Sequence, residues 1–301
     1  MDRALADGDI ARAARDGRGK PATLGDLVDG YLATQSDVIA CNDIGLRTSQ
    51  ASEAAAGRAL VHKTRIAVRR LRSVLRLFSD LFEAEQRADF DAELVWYADL
   101  LGRVRDCDVL AERLPDRVRR LPVEHVLGPV QADLDKTLTA QRREAWDNLR
   151  TELDSARYAN LLGLVRDWRA TPPLTPAATA KVKHVGRYVD KAERKAAKRL
   201  RQADGDPQAL HRARKAAKRL RYVAQLAATT DPRFASVAKE AKARQTKLGE
   251  HQDAVVAAQF LRRLGAAEGS TPGHNGFTYG LLMANELAEA AAIRAKTAIS
   301  G

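Results

Sequence analysis

Two stretches of this sequence each carry a histidine followed by basic side chains at steps of three and four residues. The first series is His62, Arg65, Arg69, Arg72 and Arg76, and the second is His211, Arg214, Lys218 and Arg221, with Gln225 in the last place. Guanidinium groups bind phosphate oxygens through paired hydrogen bonds, and lysine adds a point charge. The pattern favours a phosphate-binding surface, and the alternative is an ordinary solvated helix face.

Steps of three and four residues place side chains on one face of a helix. An apolar series of the same period runs beside the first basic series and consists of Val61, Val68, Leu71, Leu75 and Phe78. On a helical wheel of about 100° per residue the two series are neighbours. We therefore expect the arginines to flank the core rather than point directly away from it.

The positive charge of the chain is concentrated in these stretches. Between Arg58 and Arg76 there are seven Lys or Arg and no acid, and between Lys181 and Arg221 there are fifteen against four acids. Because the whole chain carries only +12, its remainder is net negative. Solvated helices usually alternate Glu and Lys, so the missing acids leave a self-repulsion that an anionic partner would relieve. The pI of about 9.9 indicates nucleic acid, an anionic membrane surface or a soluble polyanion.

The composition favours helices almost throughout, and no segment has the alternating pattern of a strand. The fold is therefore predicted to be all-α. Predicted helices cover 24–44, 53–82, 86–113, a run from Pro122 to Arg150, 158–168, 177–203, 207–228, a run from Asp231 to Leu264, and 277–299. Pro115 is expected to end the third helix. Asp206 and Pro207 are expected to start the 207–228 helix as N-cap and first residue.

A second pair of motifs supports an internal repeat. LGRVRD at Leu101–Asp106 corresponds to LGEHQD at Leu248–Asp253, and this offset of 147 residues nearly equals the 149 that separate the basic helices. We interpret the chain as a duplicated helical bundle with about four helices in each half. The proline-rich segment Thr171–Pro176 is predicted to be the linker between the halves. The predicted organisation is a flexible arm at 1–20, a first half at 21–171 and a second half at 172–301.

The sequence offers little for catalysis or for metal binding. Cys41 and Cys107 lack the spacing of metal ligands, and the phosphate-loop, zinc-protease and nucleophile-elbow motifs are absent. The residues Glu83, Glu85 and Arg87 spell ExExR, but the ExExK motif of triphosphate-tunnel hydrolases needs a strand and a final lysine. The beginning of the sequence lacks the apolar run of a secretory signal, and no segment is long and apolar enough to span a bilayer. We predict a cytoplasmic protein with no membrane partner, catalytic residue, cofactor or metal.

The histidines and the LGxxxD motifs each permit two interpretations. His62 and His211 could donate a hydrogen bond to phosphate, or each could satisfy a backbone carbonyl near the helix start. Asp106 and Asp253 could hold an arginine of the basic series in its binding conformation, or each could form only a surface ion pair. In the second case the Leu-Gly pairs mark close helix packing.

Together these motifs resemble the CHAD domain family, whose name refers to conserved histidines on an α-helical scaffold. The resemblance rests on HxxR with RRxR in the first half, HxxRKxxKRLRY in the second and an LGxxxD turn after each, and it covers about Leu24 to Ile299. It implies two four-helix bundles related by a pseudo-two-fold axis, with a basic channel between them. It also implies non-enzymatic binding of inorganic polyphosphate and association with polyphosphate granules. Gln225 departs from the first copy, where Arg76 stands.

The resemblance and the basic series give a set of predicted site residues. The predicted polyphosphate-binding residues are His62, Lys63, Arg65, Arg69, Arg70, Arg72, Arg76, Lys183, Arg187, Lys191, Arg194, Lys195, Lys198, His211, Arg212, Arg214, Lys215, Lys218, Arg219, Arg221 and Tyr222. Arg105, Asp106 and Asp253 are predicted to orient them. Nucleic acid is the alternative partner, but the chain has few aromatic residues for base stacking and no recognition-helix motif. The sequence predicts no oligomeric state.

Overall fold

The computed structural model describes residues 20–48, 54–203, 206–272 and 274–299. These residues form nine α-helices and no strand, which confirms the predicted all-α class. The helices are α1 (Leu24–Thr48), α2 (Ala54–Leu77), α3 (Ala84–Arg119), α4 (Val130–Leu153), α5 (Ala156–Ala170), α6 (Gly186–Arg201), α7 (Pro207–Ala227), α8 (Phe234–Glu268) and α9 (Phe277–Ile299). The predicted arm, residues 1–20, lies outside the described residues apart from Lys20. No helix in the described ranges is both long and apolar enough to cross a membrane.

Side chains at the helix starts satisfy the first backbone N–H groups. The Asp26 carboxylate accepts hydrogen bonds from the backbone N–H groups of Thr23 and Ala22, while the Thr23 hydroxyl accepts one from the N–H of Asp26. This is the reciprocal arrangement of a capping box, and its backbone hydrogen bonds lower the pKa of Asp26. Asp206 accepts hydrogen bonds from two N–H groups of α7 at 3.1 and 2.8 Å, which confirms the predicted N-cap.

The described residues form two compact units, and each is assembled from three segments of the chain. The first unit contains the described residues through Arg105 together with Ala145–Ala196 and Ala216–Lys242. The second contains Asp106–Glu144, Ala197–Lys215 and the described residues from Ala243 onward. The predicted division into two sequence halves and the predicted duplication stay predictions.

Each unit has its own apolar core. In the first, the apolar series predicted for α2 is completely buried from Val61 to Phe78, as its spacing predicts. The rings of Phe90 and Trp168 stack in the same core, with centroids 4.8 Å apart. The core of the second unit gathers apolar side chains from α3, α4, α8 and α9, including Leu114, Leu134 and Phe260. The basic series of α2 is thus fixed beside a well-packed core.

Pro115 does not end α3, so this prediction was wrong. The helix continues to Arg119 although an internal proline lacks an N–H and costs about 3 kcal/mol. Leu114 and Val118 are both buried in the core of the second unit. Arg117 donates a hydrogen bond through Nε to Glu286 at 2.9 Å. Packing on both sides of the proline therefore outweighs the local cost.

The basic helix predicted for 177–203 begins later than expected, at Gly186. Two short 3-10 helices, Pro176–Thr179 and Val182–Val185, precede it. Between them the backbone pairs with the start of α1, because Ala180 accepts from the N–H of Leu24 at 2.8 Å and Val182 donates to Ala22 at 2.9 Å. This pairing holds the segment extended. Lys183 consequently lies on a 3-10 helix and not on α6.

Other helix bounds also differ from the predicted ones. α2 ends at Leu77, and a 3-10 helix at Ser79–Leu81 follows it. α4 begins at Val130 rather than just after Pro122, since a 3-10 helix and a turn occupy the intervening residues. That turn contains Gly128 at φ +82°, a conformation that favours glycine. α8 begins at Phe234, three residues after the predicted start.

Candidate functional site

Two arginines of the α2 series share one carboxylate of α3 in the first unit. Arg72 Nε lies 3.0 Å from Asp91 Oδ1, and Arg76 Nη2 lies 2.7 Å from Asp91 Oδ2. The Asp91 side chain is only 17% exposed, so the two ion pairs are partly shielded from water. Such pairs are stronger than exposed ones and hold both guanidinium groups in place. Asp91 therefore orients the carboxy-terminal end of the basic series.

Arg219 of α7 contributes a third guanidinium to this cluster. Burial lowers the pKa of Arg219, and the positive charges of Arg76 and Arg72 lower it further, against the opposing effect of Asp91. Three cations and one carboxylate thus lie close enough to influence one another in a half-buried place. We call Arg72, Arg76, Arg219 and Asp91 the arginine cluster. The cluster has a net charge of +2, which a bound anion would neutralise. The anion would also replace the solvation that Arg219 loses through burial.

Each LGxxxD motif places its glycine beside the arginine of an HxxR motif. In the first unit, a Cβ added at Gly102 would lie 2.5 Å from Arg65 Nη1, which also donates a 3.5 Å hydrogen bond to the carbonyl of Ala98. In the second unit, a Cβ at Gly249 would lie 3.9 Å from Arg214 Nε. Gly102 leaves space that the Arg65 guanidinium occupies. At Gly249, by contrast, a side chain would meet Arg214 only at ordinary van der Waals distance. In the first unit the motif thus leaves the space that the Arg65 guanidinium occupies.

Replacing Gly102 with alanine is expected to displace the Arg65 guanidinium and weaken polyanion binding several-fold. The fold should persist, because the atom in the way is the end of a flexible side chain. Gly163 is the matched control, since a Cβ there meets nothing within 4 Å. Gly163→Ala should leave binding unchanged and stabilise α5 by about 0.5–1 kcal/mol. Equal affinities for the two variants would show that Arg65 does not contact the ligand.

A buried polar cluster in the first unit includes Arg221, a member of the second basic series. Arg70 is only 5% exposed and Tyr222 is 4% exposed, while the Arg221 guanidinium lies 5.8 Å from the centre of the Tyr222 ring. The hydroxyl of Tyr31 is enclosed near these groups. Burial raises the pKa of Tyr31, although the charges of Arg70 and Arg221 oppose that shift. The hydroxyl consequently stays protonated and able to donate. Arg70 and Tyr222 are therefore more buried than residues of an exposed binding surface would be.

Arg69 and Lys218 are both half-buried in the first unit. The Nε atom of Arg69 is enclosed and has no hydrogen-bond partner among the described residues. A buried donor without a partner is costly, so an anion that accepts from it would gain more than an exposed contact provides. Arg69 therefore has a donor available to a ligand in the middle of the basic series.

The two histidines at equivalent sequence positions have different surroundings. His62 is exposed on α2, as is the neighbouring Lys63. His211 is half-buried in the second unit, and its Nδ1 atom lies 3.1 Å from Oε1 of Gln252, a residue of the LGEHQD motif. The amide oxygen can only accept, so Nδ1 carries the proton in this contact. His211 is thereby anchored to α8.

The basic residues before and along α6 form an exposed group. Lys183, Lys191, Arg194, Lys195 and Lys198 are all exposed. Arg187 differs from them in making a defined hydrogen bond. Its Nη2 donates to the Tyr188 hydroxyl at 2.9 Å, and that hydroxyl donates to Asp80 at 2.8 Å. These five exposed cations are solvated, so any effect they have on an anion is mainly long-range charge.

The remaining predicted residues differ in how exposed they are. Arg212 is exposed and lies 3.4 Å from Asp206 at the start of α7, and Lys215 is exposed. Arg105 is half-buried and Asp106 is exposed. Asp253 is half-buried, and its charge contributes to raising the pKa of Arg113, an arginine outside the predicted set.

Sequence reasoning missed Asp91, which lies on a different helix from the arginines that it pairs with. Only its position in the amphipathic run of α3, one residue after the buried Phe90, placed it near the core. The arrangement suits the binding of a multivalent anion by charge-assisted hydrogen bonds. None of the predicted binding residues belongs to a metal-ligand cluster in the described ranges.

Comparisons with solved structures agree with this architecture. PptA from Streptomyces chartreusis superposes with a TM-score of 0.74 at 21% identity, over 93% of this chain and 99% of that chain. The CHAD domain from the plant Ricinus communis superposes with a TM-score of 0.66 at 25% identity, over 92% of each chain. The likeness to PptA is one of fold.

Two curated relatives from Mycobacterium tuberculosis match 75% of this chain. They are the uncharacterized protein Rv2226 of strain ATCC 25618 / H37Rv, at 37% identity, and the uncharacterized protein MT2285 of strain CDC 1551 / Oshkosh, at 36% identity, each over 236 residues. The match spans only 44% of the length of either relative. The family model described as CHAD domain matches residues 30–262, which include both basic helices and both LGxxxD motifs. This chain therefore belongs to the CHAD domain family.

Proposed function

We propose that this protein binds inorganic polyphosphate without hydrolysing it. The observation that carries the proposal is the arginine cluster, in which Arg72 and Arg76 pair with Asp91 and Arg219 lies within the electrostatic influence of all three. The cluster holds two more positive than negative charges in a half-buried place. A phosphate chain offers acceptor oxygens at every unit, so it can neutralise this excess without displacing Asp91.

The spacing of the α2 series supports a linear polyanion. Residues three and four apart on a helix lie about 5–6 Å from one another, which gives a row of cations along one face. Arg65 and Arg69 extend the row from the arginine cluster, and the enclosed Nε of Arg69 provides a further donor. Polyphosphate carries about one charge per phosphate and no bases, so its recognition needs only such a row. The basic channel implied by the family resemblance is part of the same proposal.

A competition experiment tests the ligand. Labelled long-chain polyphosphate is bound to the protein at fixed, near-physiological salt and is challenged with duplex DNA, single-stranded RNA or unlabelled polyphosphate at equal phosphate concentration. We expect only polyphosphate to displace the label. Equal displacement by the nucleic acids would show that the basic residues form a general polyanion surface. The salt must be fixed because binding to polyanions falls steeply with ionic strength.

The absence of catalysis is a separate part of the proposal and has its own test. Phosphoryl transfer relies on Mg²⁺ held near the phosphates, usually by carboxylates. Asp91 is the carboxylate of the arginine cluster, and both of its oxygens are engaged by arginines. We expect no phosphate release when the purified protein is incubated with polyphosphate and Mg²⁺. Release that is lost in Asp91→Asn would contradict the proposal and identify an enzyme.

Binding of this kind would bring the protein to polyphosphate granules in the cell. A fluorescent fusion should overlap with a polyphosphate stain, and the overlap should weaken in a variant that no longer binds the polymer in vitro. Overlap that persists in that variant would point to recruitment by another granule component.

A further inference from the structure

A second cluster of ligand-forming side chains lies in the second unit, apart from the predicted binding residues. It consists of Asp133 in the first turn of α4, Glu268 at the end of α8 and His274 in the loop between α8 and α9. Their candidate ligand atoms, one from each residue, all lie within 4.8 Å of one another. We call these three residues the histidine–carboxylate cluster.

A single imidazole nitrogen lies against both carboxylates. His274 Nδ1 is 2.8 Å from Glu268 Oε2 and 3.2 Å from Asp133 Oδ2. That nitrogen carries at most one proton, so it can donate fully to only one of the two oxygens. Asp133 Oδ2 also accepts a hydrogen bond from the Tyr279 hydroxyl at 2.9 Å. Two negatively charged carboxylates therefore face one imidazole nitrogen. A metal cation between the three ligand atoms would interact with both carboxylates, whereas a single proton can bridge to only one of them.

The spacing of these atoms suits a transition-metal ion. Zinc binds histidine nitrogen and carboxylate oxygen at about 2.0–2.2 Å in tetrahedral geometry, which places the ligand atoms about 3.3 Å apart. The distances from His274 Nδ1 to the two carboxylate oxygens, 2.8 and 3.2 Å, require only a small outward adjustment. The side chains are between 14% and 27% exposed, so the cluster is sheltered yet accessible to an ion.

Contacts outside the cluster fix Asn275 and Thr278, which follow His274 in the chain. Asn275 Nδ2 donates to the carbonyl of Leu127 at 3.3 Å, and the hydroxyl of Thr278 accepts from the N–H of Leu127 at 2.9 Å. Gly265 lets α8 and α9 approach closely, because a Cβ there would lie 2.8 Å from Cβ of Tyr279. The ligand atoms are consequently brought together by packing that does not depend on their own hydrogen bonds. A site arranged in advance in this way loses less entropy on binding.

We propose that Asp133, Glu268 and His274 bind a divalent transition-metal ion, with water completing its coordination. One nitrogen and two oxygens suit zinc better than magnesium, which prefers oxygen ligands in octahedral geometry. The ion would connect α4, the end of α8 and the loop before α9. This site is independent of polyphosphate binding, because its residues belong to neither basic helix.

The test uses the full-length protein, stripped with EDTA and titrated with zinc against a chromophoric chelator. We expect one zinc ion per chain and at least a tenfold loss of affinity in His274→Ala and in Glu268→Gln, the second of which nearly preserves side-chain size. His184→Ala is the matched control, since His184 is exposed and lies outside the cluster. Millimolar Mg²⁺ should not compete. Zinc binding that is absent from the wild type, or that is equal in the wild type and His274→Ala, would overturn the proposal.

Thermal unfolding provides a second measurement. A ligand that binds only the folded state shifts the unfolding equilibrium by about 100-fold at a free concentration 100 times its Kd. Zinc should therefore raise the melting temperature of the wild type and of His184→Ala. It should raise that of Glu268→Gln by a smaller amount, even if the metal-free variant already melts lower. Stabilisation of all three proteins alike would also overturn the proposal.

Discussion

Replacing Arg219 with glutamine is expected to weaken polyphosphate binding about tenfold while leaving the folded protein as stable as the wild type, or more stable. A charge-assisted hydrogen bond contributes about 1.5–3 kcal/mol, and tenfold corresponds to about 1.4 kcal/mol. Without the ligand, Arg219 suffers burial and repulsion from Arg76 and Arg72, both of which lower its pKa. The neutral amide removes that repulsion. Affinity at fixed salt and urea unfolding measure the two effects.

Two further variants make this prediction specific. Arg72→Gln should lose both affinity and stability, because it also removes the 3.0 Å ion pair with Asp91. Arg119→Gln is the control for the loss of one positive charge, since Arg119 is 68% exposed and pairs with the neighbouring Asp116. If Arg119→Gln weakened binding as much as Arg219→Gln, affinity would depend on total charge alone. If Arg219→Gln destabilised the protein, the interpretation of the arginine cluster as a preformed anion site would be wrong.

Replacing Glu286 with glutamine is expected to destabilise the second unit by about 3 kcal/mol. Its carboxylate is 1% exposed and accepts hydrogen bonds from Arg113 at 2.6 Å and from Arg117 at 2.9 Å. Removing one partner from a buried ion pair leaves an uncompensated charge, which typically costs about 3–5 kcal/mol. Burial opposes the charged form of Arg113, yet the hydrogen bond and charge of Glu286 raise its pKa overall. The variant should unfold at lower urea concentration than the wild type.

The matched control is the same substitution at an exposed pair. Glu93 pairs with Arg157 at 2.8 Å, but the arginine is half exposed, so Glu93→Gln should destabilise the protein much less than Glu286→Gln. Polyphosphate affinity should be unchanged in both variants, provided that it is measured where they remain folded. Equal losses of stability would mean that Glu286 and its arginines are solvated in solution.

The sequence predicts the helical class and the inner face of α2 well, because both follow from local periodicity. Val61, Val68, Leu71 and Leu75 repeat at helical spacing, and all four are completely buried. Helix ends are less predictable when distant residues decide them. Pro115 carries a strong local stop signal, yet its flanking side chains are buried in the second core and the helix continues.

The candidate site, too, was predictable from the sequence only in part. The regular spacing of the arginines of α2 identifies them in the sequence. Asp91 lies 15 residues after Arg76 on another helix, so no helical periodicity connects it to them. Gly102 is visible as part of a motif, whereas its role in making room for Arg65 depends on how α2 packs against α3. Charge patterns therefore predict which residues can bind an anion. The neighbouring helices decide which of those residues are held in place for it.

The three-segment construction of each compact unit has a consequence for synthesis on the ribosome. The first unit needs Ala216–Lys242 as well as the described residues through Arg105. At about 5–20 residues per second, those early residues wait on the order of ten seconds for the segment that completes their core. During that interval the apolar face of α2 on the nascent chain has only part of its packing surface. Chaperones that bind exposed apolar segments should therefore engage this protein before its translation ends.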